Sequence, residues 1–118
     1  MNYNISFKVK VEGIDKYIEV GNCDANIVWG VRQIITLVTG LDWKYDANNG
    51  RCINIIPCIK KGLCELQENP NRYRQYEDAE CGKVEDIINS FQRILNAWLE
   101  FRMEEDPEIV SVATFWIE

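Results

Sequence analysis

The sequence predicts an α+β domain. It has a three-stranded antiparallel sheet, an N-terminal hairpin plus a C-terminal strand, and three helices, in the order β-β-α-α-α-β. Three observations lead there. Residues 3–11 alternate apolar and polar side chains without a fault, the two-residue period of a half-buried strand. Three later stretches carry apolar residues at the 3.6-residue period of a helix. The final apolar stretch, 109–117, is dense in β-branched and aromatic residues and carries no charge. A length of 118 residues predicts one domain spanning 1–118.

Each element has its own local signal. Tyr3, Ile5, Phe7, Val9 and Val11 share one face of the first strand. Gly13-Ile14-Asp15 breaks the pattern, and Lys16–Val20 resumes it with Ile18 and Val20 inward, so a hairpin is expected. Gly21-Asn22-Cys23-Asp24 reads as a turn, with Asp24 or Asn26 capping a first helix. Its stripe is Ile27, Val28, Val31, Ile34, Ile35 and Val38, and Gly40 stops it. A polar, aromatic loop follows over 41–51. The second helix carries Ile55, Ile56, Ile59, Leu63 and Leu66 and ends at Glu68-Asn69-Pro70. Pro57 fits its first turn if Asn54 is the cap; a start near Cys52 predicts a kink instead. The third helix spans about 83–104 on Val84, Ile87, Ile88, Phe91, Leu95 and Trp98, with Ile94, Leu99 and Phe101 widening the core stripe. Residues 109–117 complete the sheet.

Histidine is absent, which removes Ser-His-Asp and Cys-His nucleophile systems and HExxH metalloproteases from the reading. Neither GxxxxGK(S/T) nor GxGxxG occurs. Carboxylate pairs exist, such as Asp42 with Asp46 and Glu85 with Asp86, but adjacent carboxylates on a helix do not face one another, and paired-acid catalysis is not expected. The five cysteines, Cys23, Cys52, Cys58, Cys64 and Cys81, form no CxxC pair, so free thiols in a reducing compartment are expected. The reading is of a non-enzyme with no cofactor and no metal. No segment has the length of a transmembrane span, and the N-terminus lacks a signal-peptide pattern, which leads to a cytoplasmic expectation.

The net charge of −6 is unevenly spread. Residues 1–75 carry 10 basic and 8 acidic side chains, whereas 76–118 carry 3 basic and 11 acidic. A partner-binding set follows from that asymmetry: Glu77, Asp78, Glu80, Glu85, Asp86, Glu104, Glu105 and Asp106, facing a protein with a basic surface. Acids at a helix carboxyl end, as at Glu104 to Asp106, oppose the helix dipole. Phosphate contact needs a basic stripe, so direct nucleic-acid binding is not expected, nor is a membrane. A second set, Trp29, Trp43, Arg72, Tyr73, Arg74 and Tyr76, combines stacking rings with anion-clamping guanidinium groups and defines a small-ligand alternative, nucleotide-like in class. A homodimer joined through the Ile109–Ile117 edge is a third expectation.

Three segments carry a resemblance: Gly21-Asn22-Cys23-Asp24-Ala25-Asn26-Ile27-Val28-Trp29, then Ile55-Ile56-Pro57, then Leu66-Gln67-Glu68-Asn69-Pro70-Asn71-Arg72-Tyr73. Their order resembles small uncharacterised proteins of bacteria and their phages, over residues 20–103, with Gly82 opening the third helix. The resemblance implies a phage or mobile-element setting, in which small acidic proteins often inhibit host defence by direct binding. A protein-binding accessory or anti-defence inhibitor in a bacterial or infected cell is the resulting expectation.

Overall fold

The computed structural model describes the chain except residues Met1, Glu12, Ile14, Trp29, Gly30 and 78–81. Strand β1 is Asn2–Lys10 and β2 is Tyr17–Val28. Helices α1 (Arg32–Thr39), α2 (Cys52–Glu68), α3 (Val84–Glu104) and α4 (Pro107–Val112) follow, and β3 is Thr114–Ile117. A π-helical turn at Trp43–Ala47 and a 3-10 helix at Pro70–Tyr76 bring the helical segments among the described residues to six, not three. The sheet is antiparallel with order β2-β1-β3, so the C-terminal strand does join the hairpin.

Gly13 turns the hairpin at φ +84, and the Val11 amide donates to the Lys16 carbonyl at 2.7 Å. Beyond it, β2 runs much further than Lys16–Val20. Residues 26–28, expected in the first helix, pair with residues 2–4 of β1. Ile27 and Val28 are β-branched and suit either element, and the unpaired start of β1 decides for the strand. Two irregularities make the pairing work. The register shifts between Asn4 and Ile5 and again between Phe7 and Lys8, where β2 carries extra residues. The second shift sets Gly21, not Val20, opposite Phe7. A Cβ at Gly21 would stand 2.8 Å from Phe7 Cδ2 and 3.2 Å from Phe101 Cδ2, so hydrogen there lets α3 close on the sheet.

Gly40 ends α1 in the left-handed region at φ 76, its amide donating to the Thr36 carbonyl at 2.9 Å, as its sequence position foretold. Helix α2 starts at Cys52, which places Pro57 inside it. Proline lacks the amide that would reach back to the carbonyl of residue 53, and Pro57 faces solvent. Of the α3 stripe, Val84, Ile87, Phe91 and Trp98 are buried, as are Ile94 and Phe101 that widen it, while Ile88 and Leu95 are half-buried. Leu99 does not belong to it, since it lies on the outer side at 55% exposure.

The core is a run of rings. Phe7 meets Trp98 edge-on with centroids 5.5 Å apart, Trp98 stacks on Phe101 at 5.5 Å, and Trp43 meets Phe115 edge-on at 5.6 Å. On the opposite face of the sheet, Lys8 lies 4.5 Å over the Trp116 ring and pairs with Glu118.

Residues 109–117 are not one strand. Asp106 caps α4, its Oδ1 accepting from the Glu108 amide at 2.9 Å, and Pro107 fits the first helical position. Only Thr114–Ile117 is extended, and its outer edge is filled. The Asn49 amide donates to the Phe115 carbonyl at 2.8 Å, the Phe115 amide to the Gly50 carbonyl at 2.7 Å, and the Ile117 amide to Asn48 Oδ1 at 2.9 Å. Homodimer pairing through an Ile109–Ile117 edge is therefore corrected: half of that stretch is helix, and the chain's own 48–50 segment occupies the strand edge.

Candidate functional site at the carboxyl end of α3

The aromatic and arginine set does not form one exposed patch. Trp29 lies outside the described residues. Trp43, expected to stack on a ligand, has 0% exposure. Asp42 caps the π-helical turn by accepting from the amides of Lys44 and Tyr45, both at 3.0 Å, and Arg32 grips the same carboxylate with two bonds of 3.0 Å. That turn carries Trp43 and Ala47 inward together. The Trp43 Nε1–H finds no acceptor among the described residues. The amide of Tyr45 and the Arg32 guanidinium hold the Asp42 carboxyl below the usual carboxylate range.

Tyr73 is buried, and its hydroxyl donates to Glu65 Oε1 at 2.8 Å; Arg72 Nη1 donates to the same oxygen at 2.8 Å. Burial, then the neighbouring Glu65, raises the Tyr73 phenol. These residues line a cavity of about 490 Å³ with Leu37, Lys61 and Cys64. Arg74 turns away from it and forks onto Glu85 at 2.8 and 3.1 Å, while reaching Glu77 at 3.3 Å. Tyr76 is half-buried against the core.

The acidic set divides by what each carboxylate touches. Asp78 and Glu80 lie outside the described residues. Glu77 Oε2 accepts from the Val84 amide at 2.8 Å and Asp86 Oδ2 from the Lys83 amide at 2.9 Å, which satisfies the open amino end of α3. Glu85 is held by Arg74, whose hydrogen bonds lower its carboxyl below the ordinary value. Asp106 caps α4. Glu104 and Glu105 remain. Together with Glu100 they make no ion pair among the described residues, and they cluster where the helix dipole is already negative.

Sequence reasoning missed three members of this end of α3: Leu99, Glu100 and Met103. Their signal was present. Glu100 and Glu104 are four apart, as are Leu99 and Met103, so each pair shares a helix face one turn apart. Met103 is 78% exposed. Glu100 and Glu104 line two hollows at once. One, of about 230 Å³, lies toward β2 with Val20, Gly21, Asn22 and Glu105; the other, of about 440 Å³, lies outward with Asn96, Leu99 and Met103.

Among the described residues no group of three or more His, Cys, Asp or Glu is placed to hold a metal ion, and no helix is long and apolar enough to cross a membrane. The element order and the sheet define an α+β fold with a three-stranded antiparallel sheet. No protein-family model matches the chain, and neither a curated protein nor a solved structure does.

Proposed function

We propose that this is a protein-binding accessory protein whose acidic helix end docks a partner with a basic surface. The observation that carries this reading is the cluster of Glu100, Glu104 and Glu105 at the carboxyl end of α3. These carboxylates lack ion pairs among the described residues and sit where they weaken the helix that bears them. Carboxylates that cap or neutralise, such as Glu77, Glu85 and Asp86, have a structural use; these three have none within the described fold. The concentration of negative charge in residues 76–118 supports steering of a cationic partner over about the last nanometre of approach. The resemblance to small bacterial and phage proteins supports a cytoplasmic setting in an infected cell and inhibition of a host defence protein as the biological outcome.

The test is capture of host proteins on the immobilised chain, compared with the double variant Glu104→Lys/Glu105→Lys. The wild type is expected to retain a basic protein that high salt releases. Retention of the same protein by the charge-reversed variant would overturn the proposal.

A further inference from the structure

We infer that the partner presents a basic amphipathic helix, and that its apolar side chains seat on the outer strip of α3 formed by Leu99 and Met103. This rests on the protein-binding reading above and names the partner's chemistry. Leu99 and Met103 are 55% and 78% exposed, although six other apolar residues of α3 already serve the core. They stand one turn apart on one face. Beside them Asn96 and the stems of Glu100 and Glu104 complete a shallow, open hollow of about 440 Å³, room for a few side chains of a partner. Methionine's unbranched, flexible side chain adapts its shape to an incoming apolar group.

Charge decides the occupant. The ridge of Glu100 and Glu104 borders the apolar strip on one side, and Glu105 lies beyond it. An apolar stripe seated on Leu99 and Met103 brings the side chains that flank that stripe on the partner helix over the ridge, where lysine or arginine meets two or three carboxylates. A single acid-flanked stripe on one helix matches the spacing of a single base-flanked stripe on another. The same carboxylates repel a phosphate backbone and an anionic bilayer. A second copy docked strip to strip about a two-fold axis sets them against themselves. Arg102, on the far side of the strip by helical spacing, favours one orientation of the partner over its reverse.

Two synthetic peptides test this, each about 18 residues long so that a helix can form on the surface. Both contain only leucine and lysine in the same ratio; one places leucine at helical spacing, and the other scatters it around the helix. Fluorescence anisotropy is expected to show the amphipathic peptide binding about tenfold or more tightly, as seating one further apolar side chain implies. The variant Leu99→Gln/Met103→Gln should lose that preference and keep a weak, salt-sensitive affinity for both peptides. Glu100→Gln/Glu104→Gln should lose affinity for both. All four positions are exposed, and circular dichroism checks that each variant keeps the fold. Equal binding of the two peptides, or a preference untouched by Leu99→Gln/Met103→Gln, would overturn the helix inference while leaving the acidic docking site standing. Failure of the wild type to bind either peptide removes both. A wild-type dimer in sedimentation that Leu99→Gln/Met103→Gln dissociates would assign the strip to a second copy and overturn the inference.

Discussion

Cys23 and Cys52 are packed into the core at 4% and 0% exposure, and burial pushes both thiols up to about 12. A thiol held protonated by the fold ionises near its ordinary 9.0 once the chain opens. Its contribution to stability is therefore complete below about pH 9 and is lost as pH rises towards 12. Urea midpoints should fall across that window, and Cys52→Ala should flatten the fall. Thiol labelling offers a second reading of the same burial. Among the four described cysteines, Cys64 is exposed and should react first, Cys58 is half-buried and slower, and Cys23 and Cys52 should react only on unfolding. Labelling of all four at one rate would contradict the packing. At Gly21 the issue is volume. A methyl group there meets two buried phenylalanine rings, and Gly21→Ala should cost about 1–3 kcal/mol in chemical denaturation.

Within elements, Pro57 and the end of α3 are both places where local chemistry opposes the local structure. Pro57 sits inside α2 with its side chain in solvent, and no packing visible there requires a ring. Pro57→Ala restores a donor toward the carbonyl of residue 53 and should stabilise the protein by about 1–3 kcal/mol, seen as a higher urea midpoint with unchanged slope. At the other helix, Glu104→Lys replaces a charge that the dipole disfavours with one that it favours. It should add about 0.3–1 kcal/mol to stability at low salt while abolishing capture of the basic partner. A stabilised variant with lost binding is the pattern of a residue kept for recognition. A destabilised one would place Glu104 in the fold instead.

For the whole molecule, the sheet's two edges differ. Strand β3 is covered by the 48–50 segment, with Asn48 Oδ1 accepting from the Ile117 amide. Strand β2 is the other outer strand, and its two register shifts disrupt the regular ladder that edge pairing needs. Removing the Asn48 side chain uncovers part of the β3 edge beside Phe115 and Ile117. Asn48→Ala should lose about 0.5–1.5 kcal/mol and gain concentration-dependent association in light scattering, where none is expected of the wild type through this edge. A variant that stays as monodisperse as the parent would mean that the edge is protected by something other than Asn48.

Much of this molecule was readable from order and period. The faultless alternation of residues 3–11 specified β1, because a strand with one buried face permits only one phase. The wide stripe from Val84 to Phe101 specified α3, and Gly13 and Gly40 marked turns that need positive φ. Short apolar runs were ambiguous. Ile27-Val28 and Ile109–Val112 suit helix and strand alike, and long-range partners settled them: β1 drew the first into the sheet, and Asp106-Pro107 started a helix in the second. The burial of Trp43 was hidden because its loop reads as polar, and only the Asp42-capped turn aims the ring inward. The sequence also located the negative charge, but could not sort it. Whether a carboxylate caps a helix, answers an arginine or stands apart depends on groups distant in the chain, such as Glu77 with Val84 and Arg74 with Glu85. Sequence by itself determined the fold class and the sign of the surface. Tertiary structure alone decided which acids remain at the end of α3 and that Leu99 and Met103 stand beside them, because helix phase and long-range contacts fix what each side chain meets.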